Sequence, residues 1–262
     1  MGTPRVILMS GQHNVSRRRF MATAAGGLIG ASLPAEAYGT ARAKSVIHLF
    51  MSGGMSHLDT FDPKPGVRSI PTNVPGVSIS ANLPRLAERM AMMTIFRSMG
   101  HCLKTHQAAQ VAALGFPSEW SFIAARETDE AMGLVDSGCG FVRMEIGGWD
   151  THTESARRTA ARCSVLDMEL SGLLDGLSVR GLLDETLVVL STEFGRSARI
   201  NGFGGRNHHP HAYSCLMAGG GTQGGHVIGA TSDDGMVVIG KTISPWKFNS
   251  MVANRLGMQA LA

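Results

Sequence analysis

The pattern that most constrains this chain is an alternation of short apolar runs with helical periodicities. Runs at residues 46–51, 93–97, 141–146, 186–191, 214–218 and 237–240 are rich in β-branched and aromatic residues, as buried strands are. Between them lie helical patterns. Residues 83–90 are short and 105–114 are rich in Ala and Gln. In the longest, 155–183, Leu166, Leu170, Leu173, Leu174 and Leu177 recur at three- and four-residue spacing. Near the end, Ser244-Pro245 reads as an N-cap with a first-turn proline, and Gly257 closes that helix. Strands alternating with helices predict an α/β fold, a three-layer α/β/α sandwich around a mostly parallel sheet.

In such sheets, ligands sit beyond the carboxyl ends of the strands. The first strand is followed by Ser52-Gly53-Gly54-Met55-Ser56-His57-Leu58-Asp59, and the strand ending at Ile146 by Gly147-Gly148-Trp149-Asp150-Thr151-His152. After Ser191 comes Thr192-Glu193-Phe194-Gly195-Arg196, then a loop with Asn207-His208-His209-Pro210-His211. Carboxylates and imidazoles therefore gather at one edge, a donor set suited to zinc, manganese or another divalent ion. Asp150 and His152 form the strongest pair, because residues two apart in extended chain point the same way. Standing alone, Asp-Thr-His favours a surface turn with a satisfied histidine, and beside Glu193 and His208 on other strand ends the metal reading draws level with it. Three histidines within residues 208–211 also suit a solvated loop, with one or two of them as ligands. Asp59 and Asp62 read as turn formers before Pro63, and His48 as a satisfied core histidine. Thr105 opens a helix, where it serves as an N-cap or as a nucleophile at the positive helix end. His106 beside it contacts substrate or packs.

The net charge of +4 says little about partners. Arg5, Arg17, Arg18 and Arg19 against Glu36 place +3 of it in residues 1–37, which leaves +1 for the rest and no nucleic-acid footprint. That leader has the order charged, apolar, small. Arg17-Arg18-Arg19-Phe20 precedes an uncharged run over residues 20–33, too short for the ~20 residues that a membrane span requires. Ala35-Glu36-Ala37 supplies a signal-peptidase site. The arginine pair with Phe20 resembles a twin-arginine signal, with the twin-arginine export machinery as partner and a periplasmic or secreted mature chain over residues 38–262. No other long apolar segment is present, so no stable membrane span is expected after cleavage. Glycine is 33 of 262 residues and predicts many tight loops. Cys102, Cys139, Cys163 and Cys215 include no Cys-x-x-Cys pair, which argues against a cysteine zinc site and leaves two disulfides open. The Gly219–Gly225 segment lacks Gly-Lys-Ser/Thr, so it is no nucleotide P-loop. No Gly-x-Ser-x-Gly elbow is present either.

The twin-arginine leader and the stretches 49–65, 147–152, 192–196, 205–208 and 218–225 together resemble domain-of-unknown-function family 1501. The likeness covers nearly all of the mature chain. That family is placed in the alkaline phosphatase and sulfatase-like superfamily. The resemblance implies an α/β/α sandwich, divalent ions (zinc, manganese or calcium) and hydrolysis of phosphate or sulfate esters, saccharide esters among them. It implies Asp150 and His152 as one metal-binding pair, Glu193 at a strand end where a metal-binding Asp is common, and His208 as the histidine before the next strand. Where the superfamily commonly ends its first strand with a metal-binding Asp, Ser52-Gly53-Gly54 stands here, and Asp59 follows as the available carboxylate. Thr105, His106 and Arg196 are the catalytic candidates. Asn207 replaces the family's usual Asp, which predicts weaker metal binding and a gain on Asn207→Asp. No formylglycine-type motif surrounds a cysteine. Only residues 116–140 separate the Thr105-His106 motif from the next strand, a middle shorter than is usual in the family. The alternative to a hydrolase is a non-catalytic exported binding or scaffold protein that keeps the fold.

Overall fold

The computed structural model describes residues 43–114 and 123–257. In chain order the strands are β1 (Ser45–Phe50), β2 (Ser69–Pro71), β3 (Ser78–Ser80), β4 (Met93–Met99), β5 (Ile123–Ala125), β6 (Phe141–Glu145) and β7 (Thr186–Ser191). There follow β8 (Gly195–Ile200), β9 (Arg206–His209), β10 (Tyr213–Gly219), β11 (His226–Ile228), β12 (Ala230–Thr231) and β13 (Val238–Ile239). Seven of them form the central sheet, in the order β11-β4-β10-β7-β1-β6-β5. β1 pairs in parallel with β6 and β7, β5 with β6, and β11 with β4. β10 alone runs antiparallel, between β4 and β7. The carboxyl ends of the other six strands therefore share one edge.

The strands are apolar on both sides because the sheet is covered on both faces. Along β1, Ile47 and Leu49 enter one core and Val46 the other. β7 divides Val188 and Leu190 from Leu187 and Val189 in the same way. On the first face lies the long helix Ser155–Val179, whose five leucines at the predicted spacing are all fully buried. Each contributes roughly 1.5–3 kcal/mol by leaving water. Helices Thr128–Asp136 and Pro84–Ala87 lie beside it, the latter capped by the Asp167 carboxylate of the long helix, which accepts from Arg85 and Leu86 N–H at 3.0 and 2.9 Å. The second face is covered by helix Pro245–Arg255, with Phe248, Met251 and Val252 inward. Helix His106–Leu114 touches it, through Asn249 Nδ2 donating to Ala112 O at 3.1 Å. The three-layer sandwich predicted from the alternation is what the chain adopts.

Differences are local. The run at 237–240 reaches only Val238–Ile239, pairing with β12 outside the main sheet. Val237 and Ile239 stay exposed there, so burial does not extend it. The long helix stops at Val179, before Gly181 at φ +67°. The interval 116–140 holds β5 and helix Thr128–Asp136. Their apolar signal, Ile123-Ala124-Ala125 above all, is too short to stand out, and residues 115–122 lie outside the described residues. The four cysteines are free. No helix among the described residues is long and apolar enough to cross a membrane. The leader, residues 1–37, lies outside the described residues.

Candidate metal centre

Beyond the shared carboxyl edge, four segments converge. The loop after β6 carries Asp150 and His152, with Thr151 between them buried on the other side, as two-residue alternation requires. The hairpin of β8 and β9 brings Arg196 opposite His208. Helix His106–Leu114 begins at His106, and the turn after β1 supplies Gly53 and Gly54.

Asp150 Oδ1 is the focal atom. His152 Nε2 lies 3.0 Å from it, His208 Nε2 3.5 Å, His106 Nε2 3.7 Å and Arg196 Nη2 2.5 Å. His152 and His208 also bring their Nε2 atoms to 2.9 Å of each other. The buried Phe194 ring sets the imidazole planes, stacking on His208 at 4.4 Å between centroids and lying 4.9 Å from His106.

Two of the imidazoles are anchored from behind. His106 Nδ1 donates to Glu193 Oε1 at 2.8 Å, and His208 Nδ1 to Lys104 O at 3.2 Å. With Nδ1 holding the proton, Nε2 presents its lone pair toward Asp150, as in carboxylate- or carbonyl-backed metal histidines. Burial lowers the His208 pKa, against the Lys104 hydrogen bond and reinforced by Arg196, which favours the neutral, ligating form. Burial by itself would raise the Asp150 carboxyl. The hydrogen bond and charge of Arg196, with His152 and His106, outweigh it and hold that carboxyl below its ordinary range.

These residues fit a divalent ion. Ligand atoms about 2.0–2.2 Å from one ion stand about 3–3.5 Å apart, close to the spacings around Asp150 Oδ1. Imidazole nitrogens 2.9 Å apart need a proton or a cation to screen their lone pairs. His106, Asp150 and His208 each offer a ligand atom within 4.8 Å of the others, and His152 joins them by the distances above.

The remaining predicted residues take other places. Glu193 is fully buried one step back. Its Oε1 accepts from His106, from Gly53 N–H at 2.8 Å and from Gln110 Nε2 at 3.3 Å, so it backs an imidazole and does not face the cluster. Asp59 is not brought to the imidazoles. Its carboxylate accepts from Ser56 Oγ at 2.6 Å and pairs with Arg206 Nε at 3.2 Å. Asn207 lies on the opposite face of β9 from His208, and its Oδ1 accepts from Asn201 Nδ2 at 3.2 Å. Thr105 is exposed between Lys104 and His106, its carbonyl accepting from Ala109 N–H at 3.0 Å. Arg196, with no exposed surface, uses every donor within the protein. Nε donates to Gly54 O at 3.0 Å, Nη1 to Arg206 O at 3.1 Å and toward His152 Nε2 at 3.4 Å, and Nη2 to Gly53 O and Asp150 Oδ1.

Sequence reading did not reach Gln110 or His101, whose Nε2 donates to Glu193 O at 2.6 Å. Gln110 carried a signal, four residues after His106 and so on the same helix face. Two glycines are obligatory. A Cβ on Gly53, at φ +109°, would lie 2.4 Å from Asp150 N, and one on Gly205 would lie 1.9 Å from the His152 carbonyl. Asp62, expected to form a turn, is a buried anion held by Thr231 Oγ1, by Lys64 Nζ at 3.1 Å and by Arg97 Nε at 3.5 Å. His48 is buried as expected, bonded to Ser191 Oγ at 2.8 Å. Burial pushes its pKa down to about 3.

Fold and site together define an α/β/α sandwich with a histidine-rich centre at its carboxyl edge. The sequence matches the family described as protein of unknown function (DUF1501) over residues 43–119 and 123–261, and the chain belongs to that family. No curated protein sequence matches it. Among solved structures it is similar to the lipoteichoic acid synthase LtaP from Listeria monocytogenes, with a TM-score of 0.50 at 9% identity over 93% of this chain and 78% of that one. PH0037 protein from Pyrococcus horikoshii superposes with a TM-score of 0.48 at 9% identity, over 82% and 97% of the two chains. TAB5 alkaline phosphatase does so with a TM-score of 0.34 at 9% identity, over 84% and 99%. At such identity the likeness to LtaP shows the fold.

Proposed function

We propose that this protein is an exported, divalent-metal-dependent hydrolase of phosphate or sulfate esters, saccharide esters among them. One observation carries the reading: three imidazole Nε2 atoms, two anchored through Nδ1, converge on a single carboxylate oxygen. A divalent ion held there supplies Lewis acidity toward the ester oxygens and a lowered pKa for its water. Asp150, His106, His152 and His208 would hold it, with Glu193 and Lys104 O fixing the orientation of two of the imidazoles. Thr105, between Lys104 and His106, offers an exposed hydroxyl at the start of a nine-residue helix whose positive end favours an anionic group. Net hydrolysis consumes one water, breaks the ester O–P or O–S bond and releases an alcohol and the inorganic anion.

Export rests on the arginine pair, apolar run and Ala35-Glu36-Ala37. A shortened middle rests on residues 116–140 being all that separates the Thr105-His106 motif from the next strand. The test is metal analysis of protein purified without chelator, with a panel of phosphomonoester, phosphodiester and sulfate ester substrates. Bound metal and turnover that disappears with Asp150→Ala are expected. A folded, metal-free protein, inactive with added zinc, manganese or calcium, would overturn the reading. A non-catalytic binding protein that keeps the fold is favoured by one observation. Asp150 is the single carboxylate that faces the imidazoles among the described residues. Ligand binding without turnover would establish that alternative.

A further inference from the structure

Arg196 is buried without exposed surface, yet one carboxylate oxygen is its only anionic hydrogen-bond partner among the described residues. A buried charge is costly unless paired and hydrogen-bonded. Here the compensation is an oxygen cage: the carbonyls of Gly53, Gly54 and Arg206, with Asp150 Oδ1. Positive φ at Gly53 and Gly54 turns the first two carbonyls inward, and a Cβ on Gly54 would lie 2.6 Å from the Phe194 ring. Carbonyl and carboxylate oxygens are what a hard divalent ion recruits. In this protein a guanidinium fills that cage, on the same Asp150 oxygen that faces the imidazoles. Four of its five donors meet these oxygens, and the fifth points toward His152 Nε2 at 3.4 Å, inside the protein.

We propose that Arg196 is a built-in cation in the place of a second metal ion, so that the centre binds a single divalent ion shared by Asp150, His106, His152 and His208. This rests on the reading above that a divalent ion binds. Charge balance supports it. Two ions and a guanidinium would set five positive charges against Asp150 and Glu193, the carboxylates of the site among the described residues. One ion and the guanidinium leave a single excess positive charge, suited to an anionic ester. Arg196 is then a positioning residue: it orients Asp150 and competes with the ion for the Oδ1 charge.

The experiment is metal stoichiometry and affinity, by elemental analysis and titration of Mn2+ or Zn2+ into the metal-stripped full chain. One ion per chain is expected, and two would overturn the proposal. None would overturn the hydrolase reading, and this inference with it, a result distinct from two. In Arg196→Gln the competing charge is gone, so Mn2+ should bind roughly tenfold more tightly. Arg196→Lys keeps the charge and should stay within about threefold. Unchanged or weaker binding by a folded Arg196→Gln would show that the guanidinium only braces the loop. Should that variant not fold, the wild-type count decides.

Discussion

His208 and His209 are neighbours in β9, face opposite ways, and belong to two contrasting clusters. On one side, His106 and His208 commit Nδ1 to Glu193 and Lys104, which frees the Nε2 atoms to meet His152 and Asp150. On the other, His57 and His209 commit Nε2 to the carbonyls of Gly235 and Met236 at 2.8 and 2.7 Å, their rings stacked at 6.4 Å. The nearby Asp62 is consumed by Thr231, Lys64 and Arg97. Both clusters hold histidines and an aspartate. What separates a candidate metal centre from a structural clamp is which ring nitrogen is tied down. The first cluster leaves its lone pairs pointing at a common place, and the second spends its Nε2 atoms on holding the segment from β12 to β13.

The widest separation between the two should come from exchanging their aspartates. Asp150→Asn should weaken Mn2+ or Zn2+ binding about a hundredfold, since a charge-assisted contact is lost, and should lower the thermal midpoint as well, because buried Arg196 loses its anionic partner. Asp62→Asn should leave metal affinity alone and cost about 3 kcal/mol in denaturant unfolding, because Lys64 and Arg97 lose a buried partner. Equal effects of both variants on metal binding would erase the distinction.

Glu193→Gln sharpens the claim that anchoring decides. The amide cannot hold His106 in the same tautomer with a charged acceptor, so metal affinity should fall by about 10–100-fold. Calorimetric titration would show it. An unchanged affinity would mean that the buried carboxylate serves the Gly53 turn alone.

Acid should reveal the core and clamp histidines next. Burial lowers His48 to about 3 and His57 to about 4. Both values lie below the ordinary 6.5, so between them the unfolded chain binds the protons that the native state excludes. Stability is then complete above about pH 6.5 and falls as pH drops toward 4 and 3, by at most about 1.4 kcal/mol per pH unit for each group. Unfolding curves across that window should show this slope, and His48→Gln should flatten it.

The smallest effect belongs to Asn207. Sequence comparison made Asn207→Asp a gain for metal binding, but its side chain bonds Asn201 on the far face of β9. Affinity within about twofold of wild type is expected, since an exposed charge outside the cluster is screened by water. A tenfold gain would mean that the hairpin repacks when metal binds.

Much of the fold could be read before any coordinates. Strands β1, β4, β6, β7 and β10 and the leucine stripe of the long helix follow from apolar spacing, because a sheet covered on both faces must be apolar on both sides. β5, β11 and the two-residue β12 did not, being held by neighbours and not by their own pattern, while the run at 237–240 formed only the two-residue β13 outside the main sheet. In the site, Asp150 and His152 were legible as a pair from extended-chain alternation together with the carboxylates and imidazoles at the other strand ends.

The sequence by itself determined the sandwich, the edge where chemistry gathers and the residue types present there. Only the tertiary structure decided their roles. Glu193 stands behind His106, Asp59 is drawn to Arg206, and Arg196 closes on the Gly53-Gly54 carbonyls. The reason is physical. Apolar periodicity is local and repeats along the chain, so it survives in one dimension. A side-chain hydrogen bond joins residues as far apart as Gly53 and Glu193, and its direction depends on which ring nitrogen or carboxylate oxygen folding brings to face the other.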